Sequence, residues 1–240
     1  EGIDFFVRVP SLNTNSRGTS WGNGFDLGVS RALSEFYVAT PTNSIDEINT
    51  ALSNGKHLLL TPGVYDVDKT IVVQNADTVV LGLGLATLKA TSGTVALKLN
   101  DKPGIIVSGI IIDGGSVKSP VLLQVGDFGG SGNGDGANPI TLHDIYLRIG
   151  GPYIGKADVS LEINSNHVLI DHAWVWRADH GIEPFDSKDG FSGDNQRWQT
   201  NIGRNGVVVH GNDVTATGLF VEHYQEYNLV WYGERGRVFF

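Results

Sequence analysis

Four short apolar runs can be laid on one another: Ile110-Ile111-Ile112-Asp113, Ile145-Tyr146-Leu147-Arg148, Ala173-Trp174-Val175-Trp176 and Leu219-Phe220-Val221-Glu222. Each favours a β-strand and ends in a residue of different chemistry. The intervals between them are irregular, as when loops of varying length grow from one corner of a regular coil. If the runs are successive rungs, Asp113, Arg148, Trp176 and Glu222 form a column on one surface. Carboxylates, a guanidinium and an indole on a rigid sheet are what a sugar-binding or sugar-cleaving groove requires.

The rest of the chain has the same texture. From Leu58 onward, short β-like runs such as Thr70-Ile71-Val72-Val73, Thr78-Val79-Val80-Leu81 and Val95-Ala96-Leu97-Lys98-Leu99 are separated by Gly, Asn, Asp and Pro. No long amphipathic helix interrupts them, which argues against alternating strand and helix units. Hairpin dipeptides are scarce, which disfavours a sandwich or closed barrel. The expected fold is all-β: a right-handed, single-stranded parallel β-helix. One short helix precedes the coil, from Ser44 to Asn54. Ser44 and Glu47 make a capping box, Ile45, Ile48, Ala51 and Leu52 share a face, and Gly55 ends it. Such a helix can plug the end of the coil. Residues 1–43 read as an irregular lead-in or crossing segment, with turn chemistry at 13–18 and 22–24. Residues 44–240 read as the coil, ending at Phe240 on an apolar strand with no successor. Long loops at 126–139 and 181–205 would lie beside the column.

Composition narrows the partners. The net charge of -9 repels polyanions, so nucleic acid and anionic membranes are poor partners, while a neutral ligand is not disfavoured. There is no Cys, hence no disulfide or thiolate metal site. Asp171-His172 could be a metal pair but lacks an apparent third ligand, so no metal and no cofactor is expected. The start, Glu1-Gly2-Ile3, is not a signal peptide, and the chain reads as a mature or excised piece.

Chemistry concentrates in two blocks. In Glu222-His223-Tyr224-Gln225-Glu226-Tyr227-Asn228, carboxylate, imidazole, phenol and amide crowd one rung. Glu222 suits glycoside cleavage, which needs a carboxyl at the leaving oxygen and a second group for the cation or the water. The alternative is a solvated Glu on a strand edge. In Trp174-Val175-Trp176-Arg177-Ala178-Asp179-His180-Gly181, an indole can stack on a pyranose while Arg177, Asp179 and His180 bind hydroxyls. The alternative buries one Trp between coils and pairs Arg177 with Asp179. Asp113 precedes Gly114-Gly115 and also suits a turn. Arg148 could equally be the ion-pair partner of a neighbouring rung.

The stretch from Ser44-Ile45 to Pro62-Gly63-Val64-Tyr65 resembles the opening of pectate-lyase-like β-helices. Glu222-His223, Tyr224-Gln225-Glu226-Tyr227-Asn228-Leu229, Gly236 and Phe239-Phe240 resemble glycoside hydrolase family 55, the exo-acting β-1,3-glucanases (laminarinases) of fungi and bacteria. The Trp174–Gly181 block and the 44–88 stretch are similar to its bacterial members. The resemblance covers roughly residues 25–240. It implies two β-helices side by side with the active site between them, this chain supplying the second. It implies an inverting mechanism and a secreted enzyme acting on laminarin-type glucan. In the family pattern the general acid follows the stretch matching Val238-Phe239-Phe240, beyond this sequence. Glu222 matches a different carboxylate near the reaction centre. The resemblance thus implies Glu222 as the catalytic residue of this chain. Asp113, Arg148, Trp176, Arg177, Asp179, His180, His223 and Tyr227 are expected to bind substrate. Further segments of the parent protein are expected partners. Two other classes stay open: a polysaccharide lyase on the same scaffold, and a non-catalytic glycan-binding or structural β-helix.

Overall fold

The computed structural model describes residues 4–14, 28–129, 134–181, 194 and 196–239. The turn-rich stretches at 15–18 and 22–24, part of the loop at 126–139, most of the loop at 181–205, and Phe240 lie outside these residues.

The coil is built from two parallel sheets that the chain visits in alternation. One holds β6 (Ile71–Val73), β8 (Leu97–Leu99), β10 (Ser119–Val125), β12 (Lys156–Ile163), β14 (Ile202–Val209) and β16 (Tyr227–Trp231), neighbouring in that order. The other runs through β3 (Phe36–Ala39), β4 (His57–Leu60), β7 (Val79–Ala90), β9 (Ile106–Gly114), β11 (Ile140–Ile149), β13 (Val168–Arg177), β15 (Thr215–Glu222) and β17 (Arg237–Phe239). A further strand, β5 (Val64–Val67), also pairs with β7. Consecutive strands from β6 onward never neighbour each other, and every pairing in the coil is parallel. That is a parallel β-helix, not a sandwich. Among the described residues no helix is long and apolar enough to cross a membrane.

The core follows from alternation along each strand. Ile110, Ile145, Ala173 and Leu219 stack inward, as do Ile112, Leu147 and Val175 one pleat further on. Leu123, Leu161 and Val207 face them from the other sheet, all fully buried. Burying such a side chain contributes roughly 1.5–3 kcal/mol, against about 1 kcal/mol for one ladder hydrogen bond. The apolar columns therefore decide the register. The helix α1 (Ile45–Ser53) carries the expected capping box, with Ser44 N–H donating to Glu47 Oε2 at 2.8 Å. It buries Ile45, Ile48 and Leu52 against β3, β4 and β6, closing the end of the core.

The lead-in is more regular than its sequence suggests. β1 (Phe6–Pro10) and β2 (Gly28–Ala32) form an antiparallel ribbon, and β3 is already a rung of the coil. The coil thus starts at Phe36 instead of residue 44. The reason is non-local. The four-residue run 36–39 gains its ladder only by pairing with β4, on the far side of α1.

A second column bends the larger sheet. Gly109, Asp144, His172 and Gly218 sit at one level of successive rungs, and each has a positive φ between 53° and 70°. Each turns its strand so that residues before and after it line different faces. Asp144 and His172 tolerate this conformation and brace each other, with His172 Nδ1 2.8 Å from Asp144 Oδ1. At Gly109 a Cβ would lie 2.7 Å from the Gly82 carbonyl oxygen, whereas at Gly218 nothing comes within 3.6 Å. Gly109→Ala is expected to cost about 2–3 kcal/mol and Gly218→Ala about 1 kcal/mol. The midpoints of chemical unfolding of the two variants measure this. Equal midpoints would contradict the backbone clash at Gly109.

Candidate active site on the coil edge

The rungs align as the sequence pattern requires: Asp113 beside Arg148, Arg148 beside Trp176, Trp176 beside Glu222. The column is real, but its members do different things.

Its first two members form a structural clamp. Arg148 Nε and Nη2 donate to the two Asp113 oxygens at 2.8 Å each, and the Tyr153 hydroxyl donates to Asp113 Oδ2 at 2.5 Å. Asp113 is only 1% exposed, so its carboxylate anchors Arg148 and faces no ligand. It points outward from its strand yet is covered, because the turn at 150–155 folds back over the column through left-handed Gly150 and Gly151. Burial, with the nearby Asp113 charge, pushes the Tyr153 phenol far above its usual range. The Lys89 ammonium lies 4.1 Å from the centre of its ring. Tyr153 carried no sequence signal of this role.

One Trp of the pair is buried and the other is half-buried, but the buried one does not lie between the coils. Trp174 and Trp176 are two apart on one strand, so both face outward. Their rings stack at 5.2 Å and 14°. Trp176 is 8% exposed, packed under Trp174 and His180 and beside Gly151. Trp174, half-buried, presents the accessible indole. It lines a surface groove of about 380 Å³ with Tyr146, His172, Phe220 and Glu222.

The acidic end of the column is the chemical part. Glu222 Oε2 accepts from Trp174 Nε1 at 3.4 Å and lies 4.0 Å from His223 Nε2. That same nitrogen is 3.8 Å from Asp179 Oδ2, and Asp179 Oδ1 is 2.7 Å from His180 Nδ1. Two carboxylates and two imidazoles thus form one half-exposed string. Burial alone would raise the Asp179 carboxyl. The His180 hydrogen bond and the His223 charge outweigh it and hold the carboxyl below its ordinary range.

Arg177 is not a ligand contact. Trp176 faces out, so Arg177 faces in, and it is only 2% exposed. It binds carbonyl oxygens instead of Asp179: Nε donates to His223 O, and Nη1 to those of Gln196, Arg197 and Asn201. A buried guanidinium is tolerated when hydrogen-bonded in this way. Tyr227 opens β16 beside Asn205 on the smaller sheet, with its ring exposed. Asp171, the possible metal ligand, instead binds His143 and Thr217, and His172 turns to Asp144. Among the described residues no group of three or more His, Cys, Asp or Glu is gathered to hold a metal.

The coil with this edge defines a pectate-lyase-like parallel β-helix. The chain belongs to glycoside hydrolase family 55: the family described as the LAM55 pectate lyase-like domain matches residues 36–240. It is 48% identical over all 240 residues to an exo-beta-1,3-glucanase of Streptomyces sp. (strain SirexAA-E / ActE), covering 38% of that protein. It is also similar to the solved structure of sacteLam55A from Streptomyces sp. SirexAA-E, with a TM-score of 0.89 and 46% identity. A second structure, a glutamate-to-alanine variant of sacteLam55A in complex with glucose, aligns with a TM-score of 0.87 and 47% identity. All of this chain aligns in both cases, with 41% of the other. The chain therefore spans about two fifths of the length of these relatives.

Because the Asp179 pKa is depressed in the folded state, its stabilisation is present above the unfolded value of about 3.9. It is lost as pH falls through the lower folded value. Asp179→Asn is expected to remove this contribution, so the gap in unfolding midpoint between variant and wild type should shrink on acidification. A gap that stays constant down to the lowest accessible pH would contradict the ion-pair assignment.

Proposed function

We propose that the polypeptide carrying this chain hydrolyses β-1,3-glucan of laminarin type, releasing sugar from a chain end with inversion. The observation that carries this reading is the string Trp174–Glu222–His223–Asp179 on the rim of an outward groove, in a chain 48% identical to an exo-β-1,3-glucanase. One Glu222 oxygen is held by an indole N–H. The other is left for a water or a sugar hydroxyl. Inverting cleavage needs two carboxyl groups far enough apart to admit a water between base and sugar. Glu222 is one, beside the reaction centre. The general acid and the rest of the water-holding residues come from segments outside residues 1–240. Trp174, Asp179, His180 and His223 form the sugar-facing wall, Trp176 is the covered layer beneath Trp174, and Arg148, held by Asp113, supports it. A polymer too large to enter a cell must meet its hydrolase outside, so the protein is secreted.

Lyase chemistry on acidic sugars needs cations to neutralise a uronate. Arg148 and Arg177 are both committed internally, which favours a neutral glucan. The test is laminarin hydrolysis by the intact polypeptide, with the anomer of the first-released glucose read by NMR. Release of α-glucose is expected, and Glu222→Gln should lower kcat about 10²–10⁴-fold. A product of pectin or alginate absorbing in the ultraviolet, with laminarin untouched, would replace the hydrolase with a lyase. Full activity of Glu222→Gln would leave Glu222 with no role in catalysis.

A further inference from the structure

We infer that Tyr224 is a positioning residue for Glu222 and His223, its hydroxyl tying their corner to Ser160, two rungs away through the coil interior. The inference rests on the glucan reading above and concerns residues that no ligand would touch.

Glu222 ends β15 pointing outward, and an unbroken strand would carry Tyr224 to the same face. The left-handed turn at His223, with φ of 63°, reverses this. Tyr224 enters the coil instead and is 7% exposed. Its hydroxyl oxygen lies 2.6 Å from Ser160 Oγ, and Ser160 is fully buried on β12. β12 pairs with β14, and β14 with β16, the strand into which the corner leads. The phenol therefore spans the rung between them. It has room because β14 carries glycine at two points against the ring. A Cβ at Gly206 would lie 2.9 Å from Tyr224 Cδ2, and one at Gly203 would lie 3.2 Å from Tyr224 Cε1. Burial pushes the phenol well above its usual range, so it stays a neutral hydrogen-bonding partner.

Glu222 Oε2 lies 3.4 Å from Trp174 Nε1 and 4.0 Å from His223 Nε2, both long contacts. Where the carboxylate stands thus follows from the backbone of the corner. That backbone is held at three successive residues. Arg177 Nε donates to the His223 carbonyl, and the Tyr224 N–H donates to Asn228 Oδ1 at 3.1 Å. Gln225 N–H donates to Gly203 O at 2.9 Å, and Gly203 N–H donates to Gln225 Oε1 at 3.0 Å. The Tyr224–Ser160 bond adds an anchor across the coil. A ring that merely filled the core would need no hydroxyl, and phenylalanine would serve as well.

Steady-state kinetics of the intact polypeptide on laminarin, with the thermal midpoint of each variant, separate the two roles. Tyr224→Phe and Ser160→Ala are each expected to lower kcat about tenfold, with KM within about twofold of wild type. The losses should not add: Tyr224→Phe/Ser160→Ala should lose no more kcat than either single change. The double variant leaves neither partner buried and unpaired, so it should regain thermal midpoint while its kcat stays low. Leu97→Val trims a fully buried residue on β8, remote from the corner, and should lower the midpoint with kcat unchanged. Unchanged kcat in both single variants overturns the inference and leaves the glucan reading intact. So does a kcat loss that follows the thermal midpoint across the whole series. A wild type that does not cleave laminarin overturns both.

Discussion

In-register parallel pairing between coils is the constraint on which everything else in this molecule depends. Side chains alternate faces with a period of two, so a one-residue slip of β15 against β13 would drive Phe220 and Glu222 inward and expose Leu219. Several kilocalories of apolar burial oppose each such slip. The left-handed column at Gly109, Asp144, His172 and Gly218 adds a second lock, since all four rungs bend at the same level. The Glu222 group inherits its rigidity from these apolar columns.

Buried charge does the local fitting. Asp113, Arg148 and Tyr153 form one covered network, and Arg177 another. Neither adds much net stability over an apolar replacement, since desolvation offsets most of the attraction. What they contribute is direction. The first fastens the 150–155 turn over the column, so Trp176 becomes the covered layer and Trp174 the accessible one. The second gathers the carbonyls of two separate segments around one guanidinium, so that Glu222–His223 and the 196–201 segment cannot move independently.

Much of this was legible in the sequence. The four apolar runs and their rung alignment hold pair by pair, and so does the capped helix that plugs the coil. Glu222, His223, Asp179 and His180 come together as two adjacent blocks should when one rung separates them. Other features were not legible. Phe36–Ala39 is too short a run to declare itself without β4. Asp113 and Arg177 look like ligand residues because sequence gives residue type but not what covers it. For Arg177 the period-two count from Trp176 already pointed inward.

By itself, then, the sequence determined the coil, its register and the residue types along its edge, because those follow from periodicity and apolar burial that act within and between neighbouring rungs. The tertiary structure alone decided which of the edge residues face solvent. Turns at 150–155 and 196–201 fold back from distant points and bury Asp113, Trp176 and Arg177 while leaving Trp174 and Glu222 accessible. Those turns are fixed by hydrogen bonds to carbonyls and amides of other segments, and such contacts leave no periodic trace in the chain.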